Sequence, residues 1–172
     1  IIFISAADTE LAALSEARAT LADDGFDQTL RLANLNWLAH PYSVDLYIEN
    51  TALKSRIVVA RILGGEGYWP YGLEQFAARL AAAGVMLTAL PGDDKPDEAL
   101  FRASTVTRET WEALWAYFVE GGPENAANFL RYCDHALNGA EAPEAARPLL
   151  RAGIYWPGET AATLDTVRES WA

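Results

Sequence analysis

Apolar and polar positions divide the chain into short apolar runs alternating with longer stretches of helical period. Residues 1–5 are apolar and lead into Asp8, Thr9 and Glu10, after which Leu11, Leu14, Ala17 and Leu21 recur at helical spacing. This predicts a buried strand and then a helix with an acidic first turn, closed at Gly25. A second strand is predicted over 30–35. Residues 43–54 fit two templates, because Val44, Leu46 and Ile48 alternate whereas Val44, Tyr47, Ile48 and Ala52 share a helical face. A crossover is needed before the next strand, and this selects helix. That strand, 57–63, is rich in β-branched residues and runs into Gly64-Gly65. A third helix is marked by Pro70 at its first turn, by the stripe Leu73, Phe76, Ala77, Leu80 and Ala81, and by Gly84 at its end. Residues 85–90 give a fourth strand, stopped by Pro91-Gly92. Two further helices run from Thr107 through Trp111, Leu114, Trp115 and Phe118 to Gly121, and from Pro123 through Ala126, Leu130, Cys133 and Leu137 to Gly139.

This series predicts an α/β fold: a parallel four-stranded open sheet, flavodoxin-like or Rossmann-like, flanked by helices and followed by a C-terminal helical annex. Ala, Glu and Pro gather over 141–148 and read as a linker between a first domain, 1–140, and residues 149–172, the truncated start of a following domain with a helix over 160–171. The chain lacks an initiating Met and its last helix is unfinished, so it reads as part of a larger protein. With 172 residues, 51% of them apolar, a chain of this size buries roughly 70% of the surface its unfolded form exposes. Charge alters the picture more. Thirteen Lys and Arg stand against 24 Asp and Glu, for a net charge of -11. That excess repels phosphate, which argues against nucleic acid and anionic membranes as unaided partners. One Cys permits no internal disulfide and, with two distant His, forms no zinc pattern; a reducing, cytoplasmic setting is expected. No apolar run approaches the about 18 residues needed to cross a bilayer, and the apolar opening is too short for a signal peptide.

Ligands of open parallel sheets bind outside the carboxyl ends of the strands, and three polar clusters fall there. Gly64-Gly65-Glu66-Gly67 follows a strand and precedes a helix. It is either a tight turn or an anion-binding loop of backbone amides, but its spacing is neither G-x-G-x-x-G nor a Walker motif. Arg61, inside an apolar strand, needs either a structural carboxylate from a neighbouring helix or a ligand. Asp93-Asp94-Lys95-Pro96-Asp97 is a solvated turn or a weak cation site, with Asp93 and Asp94 the candidate ligands. His40, in the loop after the second strand, is a further weak candidate for a ligand or base. His135 sits where a cation complements a helix C-terminus. Tyr68-Trp69-Pro70-Tyr71 sets three aromatic rings beside the glycine loop, where they face a planar ligand or pack a domain interface. Cys133 lies on the apolar stripe of its helix, and no nucleophile motif is present.

Six stretches, in order along the chain, carry a family resemblance. They are Phe3-Ile4-Ser5-Ala6-Ala7-Asp8-Thr9-Glu10-Leu11, Leu30-Arg31-Leu32-Ala33-Asn34-Leu35, His40-Pro41-Tyr42-Ser43-Val44-Asp45-Leu46-Tyr47, Leu63-Gly64-Gly65-Glu66-Gly67-Tyr68-Trp69-Pro70-Tyr71-Gly72, Leu90-Pro91-Gly92-Asp93-Asp94-Lys95-Pro96-Asp97 and Asn125-Ala126-Ala127-Asn128-Phe129-Leu130. Together they resemble the N-terminal region of the CobN family, the large subunits of aerobic cobaltochelatase, which are similar to the large subunit of magnesium chelatase. The resemblance implies ATP-dependent insertion of cobalt, the substrate metal, into the corrin ring of hydrogenobyrinic acid a,c-diamide during cobalamin synthesis. It implies as partners the remainder of the large subunit, an AAA+ ATPase subunit using ATP and Mg, and an integrin-like adaptor. No tightly bound cofactor is expected in this fragment, and the family contributes no catalytic residue to it. Arg61, Gly64, Gly65, Gly67, Tyr68 and Trp69 are the expected corrinoid-facing residues, on the bottom-up argument alone. Two alternatives are a pure docking module and a flavodoxin-like nucleotide or flavin binder.

Overall fold

The computed structural model describes residues 1–148, Ile154 and 164–169. Four strands, β1 (Ile2–Ser5), β2 (Arg31–Asn34), β3 (Ile57–Ile62) and β4 (Met86–Pro91), form one sheet in the order β2-β1-β3-β4. Every pairing is parallel; Ser5 of β1 lies opposite Asn34 of β2 and Arg61 of β3, and Arg61 opposite Leu90 of β4. The connection leaving β1 goes outward to β2, whereas those from β2 and β3 go the other way. The point of reversal therefore lies between the carboxyl ends of β1 and β3, where open α/β sheets hold their ligands.

Alternation along the strands loads both faces. Ile2, Ile4, Val58, Ala60, Ile62, Leu87 and Ala89 point to one side, under α2 (Pro41–Asn50), α3 (Pro70–Ala83) and α4 (Glu98–Ala103). Phe3, Ile57, Val59 and Leu90 point to the other, under α1 (Asp8–Asp23), α5 (Arg108–Glu120) and α6 (Pro123–Asn138). Strands buried on both faces are near-continuous apolar runs, as this sequence has them. Of the helices beyond β4, α5 and α6, the expected C-terminal helices, thus complete a layer over the sheet beside α1, and α4 joins the opposite layer.

Other boundaries shift for local reasons. The helix predicted over 43–54 breaks at Thr51 into α2 and a 3-10 turn, Ala52–Lys54. Another 3-10 turn, Leu35–Leu38, follows β2, its Asn36 amide donating to the Asn34 side chain at 2.9 Å. α4 is not among the predicted helices. Six residues show no periodicity, but the helix is marked by Asp97, whose Oδ1 accepts from the amides of Ala99 (2.8 Å) and Leu100 (3.1 Å).

Residues 141–148, of linker composition, have no regular structure but are tied down. Tyr117 Oη donates to the Glu144 carbonyl at 2.7 Å. Asn125 Nδ2 donates to the Arg147 carbonyl at 2.8 Å, and the Arg147 amide donates back to Asn125 Oδ1 at 3.0 Å. α6 ends beside Arg56, which precedes β3 and donates to the Leu137 carbonyl. Its first turn lies beside Arg61, since Asn125, Gly122 and Arg61 line one cavity. The strap 141–148 therefore carries the chain back from the amino end of the sheet to its carboxyl end. Of the helix predicted over 160–171, Leu164–Glu169 is helical; its other residues, and most of the expected following domain, lie outside the described residues.

Candidate functional site at the carboxyl end of the sheet

A cleft of about 220 Å³ opens at the reversal point, lined by Ser5, Ala6, Ala7, Glu10, Arg61, Leu63 and Gly92. Beside it, between α1 and the α5–α6 turn, a second cavity of about 190 Å³ also reaches Glu10 and Arg61. Arg61 is 8% exposed. Its Nη1 donates to Glu10 Oε1, its Nε to the Pro91 carbonyl at 3.1 Å and its Nη2 to the Gly92 carbonyl at 2.9 Å. Its guanidinium carbon stands 5.1 Å from the centre of the Phe118 ring. Ser5 Oγ donates to the second Glu10 oxygen at 2.7 Å and accepts the Ala7 amide at 3.1 Å. Burial lowers the Arg61 pKa, against the opposing pull of the Glu10 and Asp93 carboxylates. Guanidinium remains the charged form, and Glu10 neutralises it. This is the structural pair that a charge in a buried strand requires.

Glu10 and Ser5 were absent from the sequence-derived site. The signal for Glu10 is its place in the first turn of the helix that follows β1, next to the strand bearing the unpaired cation. The β1-β3 adjacency, which one sequence does not give, turns that signal into a contact.

The glycine loop faces a carboxylate. Gly65 has φ +68, and a Cβ on it would lie 2.5 Å from Asp97 Oδ2. An amide cradle packed against Asp97 is poorly suited to phosphate, which weighs against the nucleotide reading. Gly64 lies under Tyr68, with an added Cβ 3.4 Å from the Tyr68 Cβ, and the exposed Gly67 has open space around it.

Trp69 points inward, in contrast to the ligand-facing position expected of it. The residue is 4% exposed, its Nε1 donates to the Leu38 carbonyl at 2.8 Å, and its ring sits on Phe76 at 5.1 Å. A Cβ on Gly72 would overlap the indole, so this glycine is what lets α3 accept the ring. Tyr68 points outward and is 53% exposed, with Oη 3.4 Å from Asn36 Oδ1. Tyr71 reaches Asp45 across α2 and α3 at 3.1 Å.

The three weak metal candidates are not brought together. His40 caps α2, its Nδ1 accepting from the Tyr42 amide at 3.1 Å. Asp93 and Asp94 lie beyond β4, at the opposite edge of the sheet, where Asp93 Oδ1 accepts from the Lys95 amide at 3.2 Å. Among the described residues no group of three or more His, Cys, Asp or Glu is placed to hold a metal ion. His135 Nδ1 lies 2.6 Å from the Ala140 carbonyl, at the end of α6.

No protein-family profile matches the sequence. The chain is similar to the aerobic cobaltochelatase subunit CobN of a Sinorhizobium species, 48% identical over 158 residues, which are 92% of this chain and 12% of the relative. It is also similar to CobN of Pseudomonas aeruginosa, 37% identical over 172 residues, 99% of this chain and 14% of that one. The solved catalytic subunit of cobaltochelatase from Mycobacterium tuberculosis shares the fold, with a TM-score of 0.70 at 22% identity over 91% of this chain and 12% of its own. At 48% and 37% identity over nearly all of its residues, the chain is a homologue of one segment of the aerobic cobaltochelatase CobN subunits and spans 12 to 14% of their length.

Proposed function

We propose that the chain is the N-terminal α/β domain of the large subunit of a cytoplasmic, ATP-dependent cobaltochelatase, and that it docks other protein surfaces rather than holding the corrin itself. The whole subunit would insert cobalt into hydrogenobyrinic acid a,c-diamide, with an AAA+ motor using ATP and Mg and an integrin-like adaptor as partners. The observation that carries the docking role is the engagement of Arg61 by groups of its own fold. Its charge is matched by Glu10, and two of its remaining donors are given to the Pro91 and Gly92 carbonyls at the carboxyl end of β4. A ligand carboxylate would have to compete with Glu10, which already neutralises this guanidinium. Trp69, another of the expected contacts, supports the same reading from inside the core.

A second reading keeps a corrinoid contact and rests on the exposed rings of Trp37 and Tyr68, 79% and 53% accessible. Titration of the 172-residue chain with the corrinoid, followed by Trp emission, separates the two. Docking alone predicts unchanged emission; a saturable quench lost in Trp37→Phe overturns it in favour of direct contact.

A further inference from the structure

We infer that the carboxyl end of the sheet, around Trp37, Leu63 and Tyr68, is a protein-docking surface, and that its partner is a protein face with an apolar hollow bordered by Lys and Arg. This rests on the docking role proposed above and adds its place and the chemistry of the partner.

Trp37 is 79% exposed, Tyr42 66%, Leu63 61% and Tyr68 53%. All four follow the carboxyl ends of β2 and β3, which flank β1. The other indoles of the strand-bearing region behave differently. Trp69, Trp111 and Trp115 each donate Nε1 to a backbone carbonyl, those of Leu38, Ala89 and Asp93. The Trp37 indole has no such partner among the described residues. A large apolar ring left in water is costly unless something covers it, and Trp and Tyr are the side chains that most often anchor protein interfaces.

These rings stand on fixed supports. Trp37 belongs to the 3-10 turn capped by Asn34, and Tyr68 to another 3-10 turn, Glu66–Tyr68, tied to the first through Asn36. Little main-chain entropy is therefore left to lose on binding.

Charge selects the partner. Asp8, Glu66, Asp93 and Asp94 are exposed in or beside the strand-to-helix loops at this end, and Lys95 is the one exposed cation in those loops. Arg31, Lys54 and Arg56 cluster at the opposite, amino end, beside the starts of β2 and β3. An acidic border around apolar rings favours a basic border on the partner and disfavours a second copy of this chain, which would present the same sign.

The test uses the complete subunit with p-benzoylphenylalanine in place of Trp37 and, in a separate protein, of Glu112, exposed on α5. The inference predicts photocrosslinks from position 37 to a protein segment bordered by Lys and Arg, and none from position 112. Trp37→Ser with Tyr68→Ser should weaken that association about tenfold or more, and Asp93→Lys with Asp94→Lys should weaken it independently. Protein crosslinks from position 112 alone leave the docking role standing and overturn this surface. A corrinoid adduct at position 37, or a crosslink to another copy of the same chain, overturns the inference. If neither position crosslinks to protein, the docking role fails along with it.

Discussion

Arg61 occupies a strand position where a β-branched residue would complete the core, and Glu10 makes that position tolerable. Removing the carboxylate leaves a guanidinium 8% exposed whose remaining hydrogen-bond acceptors are the Pro91 and Gly92 carbonyls. Glu10→Gln should therefore cost about 3 kcal/mol, as broken buried pairs do, whereas replacing both members with Leu and Met should cost less. Urea unfolding of the single and double variants checks the difference, and equal losses would count against the pair. The need for a partner was legible in the sequence, because a charge inside Ile57–Ile62 demands one. Its identity was not, since it depends on β1 lying beside β3. The aromatic run shows the same boundary. Nothing in Tyr68-Trp69 tells which ring turns inward until α3 brings the side-chain-free Gly72 under the indole.

Elements with a clear period are legible in kind, whereas α4 and the 3-10 turns are not. β3, α3, α5 and α6 carry their signals in six or more residues each, whereas α4 and the 3-10 turns are too short for a pattern to accumulate. The strap 141–148 is a different case. Its Ala, Glu and Pro content describes side chains, but what holds it is backbone bonded to Asn125 and Tyr117. Asn125 is 2% exposed and also donates to the Gly121 carbonyl at 2.6 Å, so one amide joins the end of α5, the start of α6 and the strap. Asn125→Leu should release the strap, with a loss of about 2 to 3 kcal/mol from the bonds broken. Proteolytic cleavage within 141–148 should become faster while the sheet amides stay protected from hydrogen exchange. Cleavage at the parental rate would show that the strap is held by other means.

Across the whole molecule, the layer made by α1, α5 and α6 should set the response to alkali. Burial pushes the Cys133 thiol from 9.0 up to about 12 and the Tyr117 hydroxyl from 10.0 up to about 12. Both groups give up a proton more readily in the unfolded chain. Their contribution is complete below pH 9 and is lost as pH climbs towards 12, because the unfolded state then binds fewer protons than the folded one. The urea midpoint should fall over that window, and Cys133→Ala should flatten the first part of the fall; an unchanged alkaline limb would refute the assignment. The arrangement of layers also explains why the general fold was readable and the site less so. Apolar runs and helical stripes report burial, which is local to each element, but the cleft is made where four elements end together.

The returning strap has a mechanical consequence. Residue 1 enters at the amino end of β1, and Arg147 is clasped near the carboxyl end of the sheet. Tension applied between these two points runs along the strands, so the ladders joining β1 to β2 and β3 are loaded in shear, with many hydrogen bonds sharing the force. A strap left free would let the same pull act from the amino end, where α6 could peel away turn by turn. The Asn125 clasp thus converts a fold that could be unzipped into one that transmits a pull from end to end as a stiff link.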